Sequence, residues 1–468
     1  MTIPSWVFDS VFYQIFPDRF ANGNSLNDPP NKQAWGTLPD IVHFQGGDLA
    51  GIQQKLDYLA DLGVNAIYLN PIFLSPSTHR YNTVDYYKID PKLGTMRDFQ
   101  SFLTAAHQKG MRVVLDGVFN HCGRGFFAFN DILENDGDSP YLDWFHVQRF
   151  PLQAYTSGKA TNYTAWWGFK SLPKFNTDHP AVRQYLLDVG RYWIEQGIDG
   201  WRLDVPNEIN DDVFWADFRN TVRAANPDAY LIGEIWEIDP RWVGDKHFDG
   251  LMNYPVRKAI LGLLTGEGDH ESFAADIEVI LKAYPYENVL AMYSLLGSHD
   301  VERIRTLMGG SIEKTRLANT LLFGLPGIPA IYYGDEVGLE GGRDPDCRRA
   351  FPWNDKDWQR GLLEHIRQLI QIRKAYPALR RGQISFPAPG QISGGSAWQR
   401  TLPGSQAIWV AANPTDMAST LSIHGLNGMP VEGDFPNLLD DTRPGRCDKG
   451  VFTASLGAWG SGIYVLPG

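Results

Sequence analysis

The sequence predicts an α/β fold, a (β/α)8 TIM barrel with an inserted loop domain after strand three and a C-terminal β-sandwich. Short β-branched runs alternate with amphipathic helical patterns over roughly the first 380 residues, which favours a parallel sheet. The alternation gives eight units, the number that closes such a barrel. Beyond that region, short strand-like runs stand among Gly and Pro turns, a pattern typical of a sandwich.

Eight apolar runs are the predicted barrel strands, and amphipathic helices separate them. The runs are residues 11–17, 64–71, 111–120, 198–205, 230–236, 248–254, 295–300 and 328–336. In residues 48–63, apolar side chains recur at spacings of three and four, and Gly63 ends the predicted helix. Residues 180–197 repeat this pattern. The spacing therefore predicts strands and helices in regular succession.

One connection is much longer than the others and divides the chain into predicted domains. Residues 121–178 are rich in aromatic residues, Gly and Asn, and connections of that length are usually functional or small domains. The prediction is a barrel of residues 1–120 and 179–384, an inserted domain of residues 121–178, and a β-sandwich of residues 385–468.

The composition excludes several classes of partner. The net charge is -12 and no basic run occurs, which argues against nucleic acid. No apolar stretch reaches about 18 residues, so no membrane helix is expected, and the N-terminus lacks the pattern of a secretory signal. The three cysteines are scattered, as expected of reduced thiols in a cytoplasmic protein.

Polar residues follow four of the predicted strands, where a barrel carries its chemistry. These strand ends read DGVFNH (116–121), GWRLD (200–204), GEIW (233–236) and SHD (298–300). A helix cap at Asp116 or a surface turn at Asp300 would explain one such residue alone. Because buried charges are costly unless paired, carboxylates and an arginine at equivalent strand ends indicate one shared site.

Two of these carboxyl groups suit glycoside hydrolysis with retention, which needs a nucleophile and a proton donor about 5–5.5 Å apart. Arg202 lies two residues before Asp204, so both side chains point the same way on a strand. The guanidinium is expected to lower the pKa of Asp204 and keep this nucleophile ionised. Asp300 and the aromatic ring of Trp236 are expected to favour the protonated form of Glu234, the acid/base.

The four strand-end segments resemble the signature regions of the α-amylase superfamily of glycoside hydrolases, and the resemblance covers essentially the whole chain. It implies that Asp204 is the nucleophile, Glu234 the acid/base, and Asp300 a third catalytic carboxylate that grips sugar hydroxyls. The substrate-binding residues that it implies are His79, Tyr81, Asp116, Asn120, His121, Arg202, Trp236 and His299.

A narrower resemblance is to the cyclomaltodextrinase, neopullulanase and maltogenic amylase group. The segments that carry it are FPDRFANGN (16–24), LPKFN (172–176), DVPNE (204–208) and DPDCRR (344–349). The group cleaves α-1,4 bonds of cyclodextrins, pullulan and maltooligosaccharides, often with transglycosylation, and it implies that Asp344 and Arg348 contact the sugar at subsite −2. Pro206 stands where Ala is commoner, which leaves the acceptor-side preference open.

Two further features of this group bear on assembly and metal binding. An N-terminal domain usually builds its dimer, whereas here strand one begins by about residue 11, so a homo-oligomer would need another interface. The resemblance also implies a structural calcium site of oxygen ligands, although two carboxylates need no metal for the chemistry. The residues are Asn22, Asn24, Asn27, Asp28, Gly46 and Asp48. The alternative is an Asn/Gly-rich loop held by turns alone.

Other functions compete with hydrolysis of small or cyclic maltodextrins. A general α-amylase, a glucan transglycosylase or a glucoside isomerase would use the same glycosyl-enzyme intermediate, so the sequence discriminates poorly among them. A non-catalytic barrel subunit of an amino-acid transporter is the alternative outside enzymes. That alternative is disfavoured because the chain keeps all three carboxylates and lacks a membrane helix.

Overall fold

The computed structural model describes residues 3–424 and 432–466; Met1, Thr2 and parts of the predicted sandwich lie outside these ranges. Eight parallel strands form one sheet in the order β6-β5-β4-β3-β2-β1-β8-β7. They are β1 Phe12–Ile15, β2 Ala66–Leu69, β3 Arg112–Gly117, β4 Gly200–Leu203, β5 Tyr230–Gly233, β6 Gly250–Leu251, β7 Tyr293–Leu295 and β8 Ile328–Tyr332. A parallel bridge from Met252 to Tyr293 joins the two edge strands. The predicted barrel is confirmed.

The barrel strands are buried on both faces, which explains why they read as continuous apolar runs. One prediction was misplaced: the seventh strand is Tyr293–Leu295, which shares only Leu295 with the predicted residues 295–300. After Leu295 the chain leaves the sheet, and Ser298 bridges to Val301 across a turn. The SHD segment therefore lies on a loop at the carboxyl end of β7.

Helices cover the outside of the barrel. The α-helices of the barrel region are Ser5–Phe8, Pro17–Phe20, Leu49–Gln54, Leu56–Leu62, Met96–Gln108, Pro180–Glu195, Asp212–Ala225, Tyr254–Thr265, His270–Ala283, Tyr286–Leu290, Ile304–Leu307, Ile312–Gly324, Arg360–Ala375 and Pro377–Arg381. The helix predicted for residues 48–63 forms as two, beginning after an Asp48 cap that accepts from the Gly51 amide. It ends at Gly63, whose φ of 99° is the left-handed conformation that glycine adopts easily.

The long connection after β3 packs over the carboxyl ends of the strands. It contains the helix Phe127–Asn135 and several 3-10 turns. Isolated bridges such as Phe145 to Phe175 and Ala165 to Pro173 hold it together around buried aromatic rings. A hairpin of Phe73–Leu74 and Asp85–Ile89 lies in the connection after β2. The proposed domain limits at residues 121 and 178 stay predictions.

Two antiparallel sheets follow the barrel, in agreement with the predicted C-terminal sandwich. One contains Gln383–Ser385, Ser396–Thr401, Ile408–Ala412 and Ser461–Val465. The other contains Ile392–Ser393, Ser419–Ile423, Glu432–Phe435, Gly445–Asp448 and Val451–Leu456. The first of these strands begins at Gln383, two residues before the predicted limit. Within residues 3–424 and 432–466, no helix is both long and apolar enough to cross a membrane.

Candidate active site

A buried guanidinium lies at the centre of the site, where β3, β4 and β5 end. Arg202 Nη1 is 2.8 Å from Asp116 Oδ1 and 3.0 Å from Asp204 Oδ1. Its Nη2 is 2.8 Å from Glu234 Oε2. The pairing of Asp116 with Arg202 in the β3–β4 register sets up the first contact. One arginine thus brings together carboxylates from three strands, Asp204 and Glu234 among them.

Glu234 receives two more donors. The Val205 amide donates to Oε2 at 3.0 Å, and Trp236 Nε1 donates to Oε1 at 3.3 Å. Val205 has φ 36° and ψ 53°, a conformation that costs free energy for a β-branched residue. This strained turn directly after Asp204 points the amide at Glu234. The Trp236 ring is 44% exposed and stacks on Tyr254 with centroids 3.8 Å apart.

The expected lowering of the pKa of Asp204 by Arg202 is wrong in its net direction. Burial raises the pKa of Asp204 well above its usual value, and the Glu234 carboxyl adds to the rise. Arg202 opposes this rise without overcoming it. The reason is that Arg202 is shared among three carboxyl groups while all of them lie out of water. Asp204 therefore binds its proton more tightly than an aspartate in water does.

Asp300 faces this cluster from the loop after β7. Its Oδ2 is 3.2 Å from His299 Nε2 and its Oδ1 is 3.6 Å from Arg348 Nη2. Arg348 also pairs with Asp344 at 3.0 Å. Burial and the nearby Glu234 charge raise the pKa of Asp300 to about 7, against the opposing effect of Arg348. Asp300 therefore changes its charge near neutral pH.

Aromatic and imidazole rings form the opposite wall. The Tyr81 hydroxyl donates to Asp116 Oδ2 at 2.8 Å, and His79 stacks beside the Tyr81 ring with centroids 5.9 Å apart. His121 stacks on Trp166, and its Nδ1 is 3.2 Å from the Asn120 amide nitrogen. Burial lowers the pKa of both His79 and His121 to about 3, so both are neutral hydrogen-bonding groups.

These groups surround a cavity of about 720 Å³, a usual size for a ligand site. The predicted site residues that line it are His79, Tyr81, His121, Asp204, Glu234, Trp236, His299, Asp300, Asp344 and Arg348. The predicted residues Asp116, Asn120 and Arg202 lie behind this lining and act on it through the side chains that they contact. A rim of exposed Trp167 and Phe169 comes from the long connection after β3.

Three buried polar residues of the site were not predicted from the sequence: Gln14, Tyr68 and Asn70. The Tyr68 hydroxyl donates to Asp116 Oδ2 at 2.6 Å, and the Asn70 amide group contacts both Gln14 and Tyr81. Gln14 stands in the otherwise apolar strand Phe12–Ile15. An amide inside so short a buried strand needs a partner, which is the signal that could have revealed it.

The residues proposed for calcium come together, but hydrogen bonds and an ion pair occupy both carboxylates, so the calcium site stays a prediction. Asp48 accepts from the amides of Gly23, Asn24 and Gly51, and burial raises the pKa of Asp48. The Lys32 ammonium contacts Asp28 Oδ2 at 2.6 Å, and the Asn22 amide group donates to Asp28 Oδ1. The Asn24 side chain accepts from the Leu26 amide. N–H donors and a lysine therefore already contact the carboxylate oxygens of Asp28 and Asp48 that calcium would need, whereas Asn27 Oδ1 is buried without a hydrogen-bond partner.

The two other predicted calcium ligands of this loop are Gly46 and Asn27. Gly46 has φ 84°, and a Cβ there would lie 2.5 Å from Asp28 Oδ1, so glycine is needed for the close approach. Asn27 contributes a side-chain hydrogen bond to Asp48. In the part of the chain that the structure describes, no cluster of three His, Cys, Asp or Glu side chains is placed to hold a metal ion.

The chain is similar to known proteins over most of its length. Residues 14–382 match the sequence profile of the family described as "Alpha amylase, catalytic domain". A cyclomaltodextrinase of Geobacillus thermopakistaniensis is 44% identical over 469 residues, 99% of this chain and 78% of that protein. Neopullulanase 2 of Thermoactinomyces vulgaris is 44% identical over 387 residues. That match covers 82% of this chain and 66% of the neopullulanase, so the chain spans about two thirds of this relative.

Solved structures of similar proteins share the whole architecture. The cyclic α-maltosyl-(1→6)-maltose hydrolase of Arthrobacter globiformis superposes with a TM-score of 0.89 at 39% identity, over 99% of this chain and 100% of that one. The type III pullulan hydrolase of Thermococcus kodakarensis superposes with a TM-score of 0.88 at 37% identity, over 98% of this chain and 82% of that one.

Proposed function

Because this chain belongs to the α-amylase family of glycoside hydrolases, we propose that it cleaves α-1,4-glucosidic bonds of cyclodextrins, pullulan and short maltooligosaccharides with retention of configuration. The observation that carries the mechanism is the contact of Arg202 with both Asp204 and Glu234. Relatives named cyclomaltodextrinase, maltogenic α-amylase and neopullulanase support the substrate class, each at 44% identity.

The two carboxyl groups divide the reaction between them. Glu234 protonates the glycosidic oxygen while an Asp204 oxygen attacks the anomeric carbon, so that the bond to the leaving sugar breaks and a glycosyl-enzyme ester forms. Glu234, now ionised, takes a proton from water, and the resulting hydroxide equivalent attacks the same carbon and releases Asp204. Both side chains reach the cavity, as this assignment requires.

The proton that starts the reaction comes from the buried cluster. Arg202 contacts three carboxyl groups, so its single positive charge cannot balance all of them when they are ionised. Burial also raises the pKa of Asp204 and of Asp300. Such coupled groups titrate as a set. The mechanism requires the retained proton to reside on Glu234 while Arg202 stabilises ionised Asp204. Arg202 contacts both carboxyl groups, Asp204 at 3.0 Å and Glu234 at 2.8 Å, so it can stabilise Asp204 as that group becomes ionised.

The remaining lining residues suit a glucose ring in the cavity. Asp300 and His299 lie together as partners for adjacent sugar hydroxyls, and the Tyr81 ring offers an apolar face. Asp344 and Arg348, held as an ion pair at the same cavity, would contact the neighbouring glucose unit. The exposed Trp236 ring lies beside Glu234 and would meet the leaving sugar.

Product chromatography tests the substrate class. The protein is incubated separately with β-cyclodextrin, pullulan and soluble starch, and we expect faster release of short products from the first two. Asp204→Asn should abolish release from all three while binding persists. Faster release from starch would contradict the substrate class and favour a general α-amylase. Near-normal turnover by Asp204→Asn would contradict the mechanism.

Transglycosylation is the second activity that we propose, because the glycosyl-enzyme reacts with a sugar hydroxyl as well as with water. With maltotriose, products longer than the substrate at early times would demonstrate transfer. Glucose and maltose alone would show that hydrolysis dominates.

We also propose a cytoplasmic location, supported by 42% identity to the intracellular maltogenic amylase of Bacillus subtilis over 79% of this chain. Cell fractionation tests it.

A further inference from the structure

The hydrogen bonds behind the catalytic cavity form a directional network that starts at Asp116. The Tyr68 and Tyr81 hydroxyls lie 2.6 Å and 2.8 Å from Asp116 Oδ2. Asp116 also contacts the Arg202 guanidinium at 2.8 Å, so it acts as an acceptor. Each tyrosine has one hydroxyl hydrogen, and the carboxylate takes both. The oxygens of Tyr68 and Tyr81 are therefore left as acceptors towards their other neighbours.

That requirement fixes the orientation of Asn70. Its side-chain nitrogen lies 3.1 Å from the Tyr81 oxygen and 3.4 Å from the Tyr68 oxygen. Because both tyrosine oxygens accept there, the NH2 group of Asn70 must face them and its Oδ1 must point away. Asn70 Oδ1 lies 3.0 Å from the side-chain nitrogen of Gln14. The NH2 group of Gln14 is thus fixed in turn as a donor.

The second hydrogen of this NH2 group points at His299. Gln14 Nε2 is 3.0 Å from His299 Nδ1. A hydrogen on Nδ1 would oppose a donor, so Nδ1 must be bare and the ring hydrogen must be on Nε2. His299 Nε2 is 2.5 Å from the Tyr81 oxygen and 3.2 Å from Asp300 Oδ2. The Tyr81 oxygen then gives one hydrogen to Asp116 and accepts from Asn70 and His299, its full capacity.

The opposite tautomer breaks this pattern. A hydrogen on Nδ1 would require the Gln14 amide to turn, which would place its oxygen against Asn70 Oδ1. Turning Asn70 as well would place Asn70 Oδ1 against the oxygens of Tyr68 and Tyr81. Both hydroxyls already donate their hydrogens to Asp116, so they have none left for Asn70. Every reversal therefore ends in two acceptors or two donors facing each other in a buried region, where such a mismatch is costly.

We propose that Gln14 is a positioning residue that holds His299 as the Nε2–H tautomer, whose one hydrogen bonds the Tyr81 oxygen in the free protein and becomes available to a sugar hydroxyl when substrate fills the cavity. Gln14 does not line the cavity and contacts two residues that connect it to the lining: His299 directly, and Asn70, which donates to Tyr81. The state of the ring follows from the contacts alone. Its value for turnover rests on the proposed function, in which His299 and Asp300 hold a sugar hydroxyl.

The charges around the ring agree with a neutral imidazole. The groups that face His299 from the packed elements are His79, Tyr81, Arg202, Asp300 and Arg348. Burial lowers the pKa of His299 well below its usual value, and Arg348 and Arg202 lower it further. Arg348 Nε also donates to the His299 carbonyl at 2.9 Å, which holds the backbone of His299 in place.

Nitrogen NMR of the whole protein labelled with 15N-histidine reads the tautomer directly. A His299→Gln variant identifies the His299 signals. We expect wild-type His299 to be protonated at Nε2 and bare at Nδ1 from pH 5 to 8. In Gln14→Glu the new carboxylate should accept a hydrogen from Nδ1. Protonated Nδ1 in the wild type, or an unchanged ring in Gln14→Glu, would overturn the proposal.

Kinetics on maltotriose separate positioning from a purely structural role. In Gln14→Glu the new carboxylate raises the pKa of His299: the imidazolium keeps its Nε2 hydrogen at low pH, and the neutral ring loses it at higher pH. The ratio of variant to wild-type kcat/KM should therefore fall as pH rises. Gln14→Met should lower kcat/KM about tenfold, the effect of roughly one hydrogen bond, without that trend. A ratio for Gln14→Glu that is constant with pH would contradict the proposal.

A matched control makes the same change of charge away from the site. Gln108 is exposed at the end of the helix Met96–Gln108, and Gln108→Glu should leave both the His299 signals and the pH profile unchanged. The NMR result also stands apart from the proposed function. An inactive protein with an Nε2–H imidazole would refute the function only, whereas an active protein with an Nδ1–H imidazole would refute the role of Gln14 only.

Discussion

Asp300 shows how strongly a single residue depends on its neighbours. A carboxyl group in water has a pKa near 4, whereas burial and the Glu234 charge raise the pKa of Asp300 to about 7. Arg348, 3.6 Å away, is the nearest cation outside the central cluster and limits the rise. Ionised Asp300 is the better acceptor for sugar hydroxyls, so Arg348 should extend substrate binding to lower pH by opposing the rise of this pKa.

Arg348→Met should move the acid side of the pH profile. Without the cation the pKa of Asp300 rises further, so Asp300 takes up its proton at a higher pH and kcat/KM begins to fall at a higher pH. We expect a shift of about one unit. Arg348→Lys keeps the charge and should shift the profile less. The test is to measure kcat/KM on maltotriose from pH 4 to 9 for the wild type and both variants. If kcat/KM fell at the same acidic pH in all three proteins, this account would be contradicted.

At the scale of elements, the turn after β8 places a carboxyl group in the core. Glu336 is fully buried, and its Oε1 accepts from Tyr13 on β1 and from Tyr58 on the helix Leu56–Leu62. Burial raises the pKa of Glu336 to about 7, although both tyrosines oppose the rise. The carboxyl thus joins strand, helix and turn, at a free-energy cost that appears when it ionises.

Glu336→Gln should therefore stabilise the protein at high pH. In the unfolded chain Glu336 loses its proton near pH 4.5, and in the folded chain near pH 7, so the folded state binds more protons between these values. Its contribution to the free energy of unfolding falls by about 3 kcal/mol as pH rises through that window. Urea unfolding at pH 5 and pH 8 should show the advantage of the glutamine mainly at pH 8. An equal advantage at both would count against this explanation.

The loop of residues 22–48 gives a second element-scale prediction. Because Lys32 already contacts Asp28, neither calcium nor a chelator should change the thermal unfolding temperature of the wild type. Lys32→Met frees Asp28, and this variant should gain stability when calcium is added. Lys88→Met, at an exposed position on the strand Asp85–Ile89, is the control and should not respond. Stabilisation of the wild type by calcium would show that the ion displaces Lys32.

At the scale of the whole molecule, barrel and sandwich share one core. The Trp398 indole and the Arg400 guanidinium both donate to the Gly324 carbonyl, at 3.0 Å and 2.9 Å. Trp398 is fully buried against Phe273 of the barrel helix His270–Ala283. Gly324 fits because a Cβ there would lie 2.9 Å from Val410. The sandwich therefore packs directly against the barrel helices and should stabilise them.

Unfolding should therefore be a single event. We expect loss of activity and loss of tryptophan fluorescence to coincide during denaturation of the wild type. Trp398→Ala should lower the free energy of unfolding by about 3–5 kcal/mol and lower both midpoints together. If the fluorescence change occurred in a separate transition from the loss of activity, the shared core would not couple the two parts.

The sequence predicts much of this molecule because apolar runs mark buried strands and carboxylates at strand ends mark a barrel mouth. Its misses have physical causes. The seventh strand was misplaced because Tyr293 and Ser294 do not stand out from the apolar residues around them. The raised pKa of Asp204 follows from desolvation, which depends on every group packed around it. The Gln14 network and the Lys32 contact join residues of different elements or turns, which spacing alone does not reveal.

The central claim is that Asp204 forms the covalent intermediate and Glu234 moves the proton. The most direct test uses Glu234→Gln with an α-glucosyl fluoride, whose fluoride leaves without an acid while breakdown of the ester lacks its base. Mass spectrometry of the intact protein and of its peptides should find one added glucosyl group, on the peptide that contains Asp204. An adduct on another carboxylate, or rapid turnover with no adduct, would contradict the account.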